Sequence, residues 1–200
     1  MKANEEAIRY IRQQLQGFDP KFAECAVRAF KLICKYKESD GCLSNTVALY
    51  ICAKEMGYDP QICYGLCVCN GCEFYHAWLE LDGVVIDLSI FGLLNWNPFN
   101  FTNRVYLPYI GSDHEFNING NRIVLQKYVF DQDWKYAQIS VIEKGTLDRY
   151  MDHGPYNGMW VLTATILGEF CNDSLIGRLR SHVEGVRLTY GRDFLNGNIK

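Results

Sequence analysis

Residues 61–90 are QICYGLCVCNGCEFYHAWLELDGVVIDLSI, a stretch rich in aliphatic and aromatic residues that is interrupted twice. The interruptions are Asn70-Gly71 and Asp82-Gly83. Asn-Gly or Asp-Gly between two apolar runs is the strongest short-range signal for a hairpin with a two-residue turn. The sequence therefore predicts three antiparallel strands, near 61–69, 72–81 and 84–90.

Two-residue turns fix the register of these strands and bring a histidine close to an aspartate. The predicted cross-strand pairs are Cys69–Cys72, Gly65–His76, Leu81–Val84 and Trp78–Asp87. His76 and Asp87 are then diagonal neighbours on one face, with backbones roughly 7–8 Å apart and side chains within reach of each other. Gly65 lies opposite His76 and, having no side chain, leaves room beside the imidazole for another element.

We expect that element to be a helix that begins near Cys42. Ser39 and Asp40 are good N-cap residues, and Gly57 stands where a C-terminal cap is expected. The apolar positions with helical spacing are Leu43, Val47, Tyr50 and Ile51. Cys42 therefore falls in the first turn, where the helix dipole and a neighbouring imidazolium favour a thiolate over a thiol.

A thiol, an imidazole and a carboxylate brought together in this way are the parts of a nucleophilic acyl-transfer site. In this interpretation Cys42 is the nucleophile, His76 is the general base, and Asp87 fixes the tautomer of the imidazole. The chain has nine cysteines, and cysteine is often buried, so a single cysteine is no evidence for catalysis. The combination of the three positions is what indicates a cysteine-dependent enzyme.

Three short motifs in residues 39–91 resemble the transglutaminase-like cysteine superfamily. They are Gly41-Cys42-Leu43, His76-Ala77-Trp78-Leu79-Glu80 and Val85-Ile86-Asp87-Leu88. The nearest pattern is that of the peptidases that process lasso-peptide precursors. The resemblance implies an α+β fold, with N-terminal helices and the nucleophile helix packed on an antiparallel sheet and a C-terminal extension beyond it. It also implies a triad of Cys42, His76 and Asp87.

Departures from these relatives narrow the function. Lasso-peptide peptidases carry their catalytic module near the C-terminus, whereas more than a hundred residues follow Asp87 here. Crosslinking transglutaminases place Gln before the cysteine and Trp after it, but Gly41 and Leu43 occupy those positions. Arylamine N-acetyltransferases have Arg-Gly-Gly before the cysteine, and this chain does not. Leader-peptide cleavage and acetyl-CoA chemistry are therefore both disfavoured.

Length and composition fit one domain of 200 residues, with N-terminal helices in 1–38, a catalytic core in 39–91 and an extension in 92–200. Hydrophobic residues make up 48% of the chain, which is enough for a sizeable core. A net charge of −3 without a basic stripe gives no support to nucleic-acid binding. No stretch resembles a membrane span or a signal peptide, and an odd number of cysteines suggests free thiols in a reducing cytoplasm.

The remaining segments are assigned from periodicity and turn residues. Residues 1–38 predict two helices that are separated near Gly17. Residues 92–120 predict an ordered aromatic loop region, in which Trp96 either walls a substrate cleft beside Trp78 and Gly65 or belongs to a small core of the loop. A strand is expected over 122–130, and helices over 159–170 and 174–183.

Four cysteines in the hairpin offer a rival reading as a zinc site: Cys63, Cys67, Cys69 and Cys72. All four fall on one sheet face, but Cys63 would lie roughly 20 Å from Cys69 at about 3.3 Å per residue. One tetrahedral ion cannot collect them, so we expect no metal and no other cofactor. His114, His153 and His182 follow no metal-binding spacing. We expect His114 and His153 at the surface, and the alternative is that either enters the site from a loop.

Two hypotheses follow. The first is a cysteine hydrolase or acyltransferase that acts on a peptide, protein or small amide through a thioester on Cys42. The second is a catalytically silent module of the same fold that binds a peptide or small molecule. The reactivity of Cys42 distinguishes them.

Overall fold

The computed structural model describes residues 2–37, 41–69, 72–96, 107–118, 120–127, 146–153 and 158–186. These residues form an α+β fold, as predicted. The helices are α1 (Lys2–Gln14), α2 (Pro20–Tyr36), α3 (Cys42–Glu55), α4 (Ser89–Trp96), α5 (Leu147–Met151), α6 (Trp160–Leu167) and α7 (Asp173–Arg180). The strands are β1 (Gln61–Cys69), β2 (Cys72–Leu81), β3 (Val84–Asp87), β4 (Tyr109–Gly111), β5 (Glu115–Ile118) and β6 (Asn121–Lys127).

The six strands of the described residues form one antiparallel sheet in the order β4-β3-β2-β1-β6-β5. Its two edge strands, β4 and β5, are joined by residues 112–114 alone. Within this connection the carbonyl of His114 accepts a hydrogen bond of 2.8 Å from the backbone N–H of Leu125 in β6. A short connection between opposite edges requires the sheet to curl, and one of its faces therefore becomes an enclosed interior.

The hairpin register agrees with the prediction. Cys69 pairs with Cys72, Gly65 with His76, and Leu81 with Val84. The second turn has φ of 50° at Asp82 and 77° at Gly83, as a type I′ turn requires. The ladder of β2 and β3 ends at Leu79–Ile86, so Trp78 and Asp87 stand one step beyond its last pair. Asn70 and Gly71 lie outside the described residues.

The predicted third strand, 84–90, is too long. β3 ends at Asp87, because the Asp87 carboxylate turns the chain by accepting the backbone N–H of Ile90 at 3.0 Å, and α4 begins at Ser89. An apolar run such as 88–94 does not distinguish strand from helix by itself. The aromatic region 92–120 likewise contains the end of α4 and the strands β4 and β5 among its described residues, so it is not a loop throughout.

The sheet separates two apolar clusters. The larger one joins α1, α2, α3 and α6 to Leu79, Leu81 and Ile86 of the sheet. The smaller one lies on the opposite side chains of β1 and β2, where Cys63, Cys67 and Trp78 pack with Ile90 and Leu94 of α4. His76 and Asp87 share the parity of this second face.

The flanking helices follow ordinary start and stop signals. Two N-terminal helices are confirmed, and α2 begins with Pro20 after Asp19, whose carboxylate accepts the Lys21 N–H at 2.7 Å. The C-terminal helices α6 and α7 are shorter than the predicted 159–170 and 174–183, and α6 ends at Gly168 with φ of 79°. The predicted strand 122–130 is β6 as far as Lys127, and the rest lies outside the described residues. No helix among the described residues is long and apolar enough to cross a membrane.

Candidate active site

His76 and Asp87 form a buried pair at the end of the β2–β3 ladder. The Nε2 atom of His76 lies 2.7 Å from Oδ2 of Asp87, and both side chains have no exposed surface. The second carboxylate oxygen of Asp87 accepts the Ile90 N–H that opens α4. Asp87 therefore uses both oxygens, and its orientation is fixed by the backbone as well as by the imidazole.

Cys42 is the first residue of α3, and the helix is anchored beside His76. Thr46, one turn further along α3, donates its hydroxyl to the carbonyl of Ala77 at 3.2 Å. The N-cap is Gly41, which has no side chain, and its carbonyl accepts the Asn45 N–H at 3.1 Å. The predicted caps Ser39 and Asp40 lie outside the described residues. Cys42 itself is partly buried.

The surroundings of Cys42 favour its ionised form. Burial alone would raise the pKa of the thiol, but a hydrogen bond to His76, the imidazolium charge and a hydrogen bond with the Ala77 backbone lower it below its usual value. Asp87 already occupies Nε2 of His76, so Nδ1 is the ring nitrogen left for Cys42. Nδ1 is buried and makes no hydrogen bond of good geometry with the described residues, so its interaction with Cys42 is looser than an ideal hydrogen bond in this structure.

The same contacts hold the proton on His76. Burial alone would lower its pKa, but the charge and the hydrogen bond of Asp87, reinforced by Cys42, raise the pKa of His76 to about 10. A thiol with a lowered pKa beside an imidazole with a raised pKa favours a thiolate–imidazolium pair near neutral pH. Such a pair is the activated form of a cysteine nucleophile.

Other cysteines differ from Cys42 in the pKa of the thiol or in its exposure. Burial raises the pKa of Cys34 to about 11 and also raises the pKa of Cys67. The pKa of Cys25 is lowered by a hydrogen bond from Cys52, but Cys25 is only 1% exposed and lies in the larger apolar cluster. Cys42 alone among these combines a lowered pKa with partial exposure and a histidine.

Trp78, Gly65 and Trp96 are the residues expected to border the substrate. Trp78 is 0% exposed, because its indole packs in the smaller apolar cluster and donates its N–H to Glu80 at 3.0 Å. A direct contact of Trp78 with a substrate does not fit this burial, and the residue packs against His76 instead. Gly65 is buried opposite His76, as the register predicts. Trp96 is the last residue of α4, and its side chain lies outside the described part of the structure.

Tyr150 of α5 is a neighbour of Cys42 that sequence reasoning missed. Burial, together with the nearby Cys42 thiolate, raises the pKa of Tyr150 to about 12, while a hydrogen bond with Ser44 opposes the shift. Burial and then Cys42 also raise the pKa of Tyr64 in β1. A lone tyrosine in a short helix, separated from Cys42 by about a hundred residues of chain, carries no sequence signal for this position.

The four hairpin cysteines are not arranged as a metal site. Cys63 and Cys67 are buried and pack with Ile90 and Leu94 of α4, whereas Cys72 is exposed. Within the described residues, no group of three or more His, Cys, Asp or Glu side chains is arranged to hold a metal ion.

We therefore expect purified protein to contain well under one zinc per chain by elemental analysis. A chelator should leave the circular dichroism spectrum unchanged, because structural zinc sites contribute directly to folding and none is built from these cysteines. Stoichiometric zinc together with unfolding on chelation would overturn this reading of residues 63–72.

The other histidines form hydrogen bonds away from Cys42. Nε2 of His114 lies 2.6 Å from Glu80, and Nε2 of His182 lies 2.7 Å from Glu55. Nδ1 of His153 bonds the carbonyl of Arg149 at 2.9 Å. His153 is exposed as expected, whereas His114 and His182 are both partly buried.

Comparison with protein families gives one match, to the model of the transglutaminase-like superfamily, over residues 5–90. Neither the curated proteins nor the solved structures gave a significant match. The match begins before residues 39–91, where the three motifs lie, because it also includes the N-terminal helices. Members of this superfamily are generally cysteine enzymes. The part of the chain that holds Cys42, His76 and Asp87 is therefore similar to the transglutaminase-like superfamily, as its motifs predict.

Proposed function

We propose that this protein is a cysteine-dependent amide or acyl hydrolase or transferase that uses a Cys42–His76–Asp87 triad. The observation that carries the proposal is the buried His76–Asp87 pair, at 2.7 Å, beside a thiol at the start of a helix. The Ile90 N–H accounts for one oxygen of Asp87, but nothing in the packing of two apolar clusters requires a buried imidazole on the other oxygen. Burying the carboxylate and the imidazole is costly unless they are paired, so a role in chemistry explains their presence better than packing does.

In the first half of the reaction, the Cys42 thiolate attacks the carbonyl carbon of the acyl donor. The carbonyl electrons move to oxygen, and the backbone N–H of Cys42 binds this oxyanion, since the first N–H groups of a helix have no intrahelical partner. When the intermediate collapses, the bond to the leaving nitrogen or oxygen breaks. His76 gives its proton to the leaving group, and the acyl group stays on Cys42 as a thioester.

In the second half, water or an amine attacks the thioester. His76, now neutral, takes a proton from the attacking group, the carbon–sulfur bond breaks, and the thiolate–imidazolium pair is restored. Asp87 stabilises the charged imidazole and fixes which ring nitrogen faces Cys42. The acceptor decides whether the reaction is hydrolysis, deamidation or transfer. The proposed acyl donor is a peptide, a protein or a small amide.

Turnover of an activated ester tests this proposal without knowledge of the natural substrate. The wild-type protein should hydrolyse p-nitrophenyl acetate, and Cys42→Ala should lose at least about 100-fold in rate, because the nucleophile is gone. Cys72→Ala is the matched control, since Cys72 is the exposed thiol of the hairpin. Adding glycine ethyl ester as an acceptor separates acyl transfer from hydrolysis by the product formed. Equal rates for Cys42→Ala and the wild type would contradict the proposal.

The pH dependence of amide turnover should reflect the ionisation of both Cys42 and His76. The rate should fall at low pH as the Cys42 thiolate is protonated, below the usual range for a thiol. It should also fall as the pH rises through about 10, because His76 then loses the proton that the leaving amine needs. A p-nitroanilide should show both limbs, whereas a p-nitrophenyl ester, whose leaving group needs no proton, should lack the alkaline fall. A p-nitroanilide profile without an alkaline fall would contradict the role of His76 as acid.

All nine cysteines are free thiols in the structure. This observation supports a location in a reducing compartment, where thiols persist, and we propose the cytoplasm.

A further inference from the structure

A row of side chains leads from the surface of the curled sheet to the imidazole of His76. His114, in the connection between β4 and β5, places Nε2 2.6 Å from Oε1 of Glu80. The same oxygen of Glu80 accepts the indole N–H of Trp78 at 3.0 Å. The row passes from a half-exposed histidine, through a carboxylate that is 15% exposed, to a fully buried tryptophan.

Trp78 in turn packs against the ring of His76. The two ring centroids are 6.4 Å apart and the planes differ by 24°, so the rings are close to parallel. Phe74 approaches His76 from the other side along β2, at 6.0 Å and edge-on with an angle of 78°. Alternate residues of a strand share a face, and this spacing makes Phe74, His76 and Trp78 neighbours.

Asp87 cannot fix the His76 ring alone. A single hydrogen bond to Nε2 sets the direction of that nitrogen, but the ring can still turn about the line between Nε2 and the carboxylate. Such a turn would move Nδ1 away from Cys42. The Trp78 indole, which packs against the face of the imidazole, prevents this turn. The indole must itself be fixed in position, because a tryptophan side chain can rotate about χ2.

We propose that Glu80, by bridging Trp78 and His114, holds the indole against His76 and so keeps the imidazole aligned with Cys42. Glu80 and Trp78 are positioning residues, since neither touches the reacting atoms. This inference rests on the proposed function, because it assigns a role in aligning the same triad. It explains why a glutamate follows the tryptophan two residues later on the same strand face.

The test compares variants by the rate and pH profile of Cys42 alkylation with iodoacetamide, read by mass spectrometry. Glu80→Ala removes the bridge and should slow alkylation at pH 7 by roughly tenfold, because small misplacements of catalytic groups have effects of this size or larger. The midpoint of the pH profile should move upward as the hydrogen bond to the thiolate is lost. Glu80→Gln keeps an oxygen that can accept both bonds, so its rate should stay within about twofold of the wild type.

Trp78→Phe keeps an aromatic ring but lacks the indole N–H, so it should behave as Glu80→Ala does. The double variant should be no slower than either single variant, because residues that act as one unit are not additive. Glu115→Ala is the matched control, since Glu115 is also a sheet glutamate bonded to a nitrogen-bearing side chain, that of Arg122, but its own side chain is exposed on β5. It should match the wild type in rate and midpoint.

Several results would overturn the inference. Wild-type rate and midpoint in Glu80→Ala would show that the bridge does not align His76. An equal loss of alkylation rate in Glu80→Gln and Glu80→Ala would show that the charge of Glu80 matters rather than its position. Additive losses in the double variant would show that Glu80 and Trp78 act independently. If Glu80→Ala fails to fold, Glu80→Gln and Trp78→Phe still decide the question. If wild-type Cys42 labels no faster than free cysteine, the proposed function itself fails, which is a different outcome.

Discussion

Iodoacetamide should alkylate Cys42 faster than Cys72 at pH 6.5, although Cys72 is the more exposed of the two. An ordinary thiol with a pKa near 8.5 is only about 1% ionised at that pH. The pKa of Cys42 is lowered by its hydrogen bond to His76 and by the imidazolium charge, which prevail over burial. Peptide mapping after a short exposure of the folded protein separates the nine cysteines and gives a rate for each.

His76→Ala tests whether the imidazolium is what makes Cys42 reactive. It removes the imidazolium, so alkylation of Cys42 at pH 6.5 should fall by roughly 10- to 100-fold and recover only at higher pH. His153→Ala, at an exposed histidine bonded to a backbone carbonyl, should change nothing. If Cys42 labels no faster than free cysteine and loses nothing with His76→Ala, the triad is not catalytic. The binding-module hypothesis would then replace it.

Substitution of Asp87 should have the largest combined effect on activity and stability. Asp87→Asn retains an oxygen for the Ile90 N–H, but its amide NH₂ toward Nε2 favours the wrong imidazole tautomer. Amide turnover should fall by a factor on the order of 10³ to 10⁴, as for the equivalent change in other triads. Cys42 should remain accessible, and its alkylation at pH 6.5 should slow because the imidazolium is no longer stabilised.

Asp87→Ala should also destabilise the fold. It leaves the His76 imidazolium unpaired and the Ile90 N–H unsatisfied, both in the interior, and removing one partner of a buried pair costs about 3–5 kcal/mol. Urea denaturation measures the free energy of unfolding. Asp59→Ala is the control, since the Asp59 side chain is 95% exposed and its pairing with Lys54 is screened by solvent, so the free energy of unfolding should stay close to the wild-type value. A loss for Asp87→Ala as small as for Asp59→Ala would show that the pair does not stabilise the structure.

The hairpin and the pairing of His76 with Gly65 could be predicted because the sequence marks them locally. Asn-Gly and Asp-Gly fix the loop length, the loop length fixes the register, and a period of two then assigns each side chain to a face. The end of β3 at Asp87 could not be predicted in this way. It depends on a hydrogen bond that the Asp87 carboxylate accepts from the Ile90 backbone N–H, and an apolar run fits a strand as well as a helix.

Contacts between segments that are distant along the chain also could not be predicted from the sequence. Tyr150 reaches the surroundings of Cys42 from α5, and His114 reaches Glu80 from the connection between the two sheet edges. Neither follows from spacing, because the curl of the sheet and the packing of helices bring them close. Trp78 was expected beside a substrate cleft walled by the aromatic region, but the interior of the curled sheet encloses it.

A covalent acyl-enzyme on Cys42 is the central claim, and mass spectrometry of a quenched single turnover tests it most directly. Wild-type protein is mixed briefly with p-nitrophenyl acetate, quenched in acid, digested and mapped, with His76→Ala treated in parallel. The account predicts one acetyl group per chain, located on Cys42, removed by hydroxylamine as a thioester is, and greatly reduced in His76→Ala. Acetylation spread over exposed thiols such as Cys72, with Cys42 unmodified in the folded protein, would contradict it.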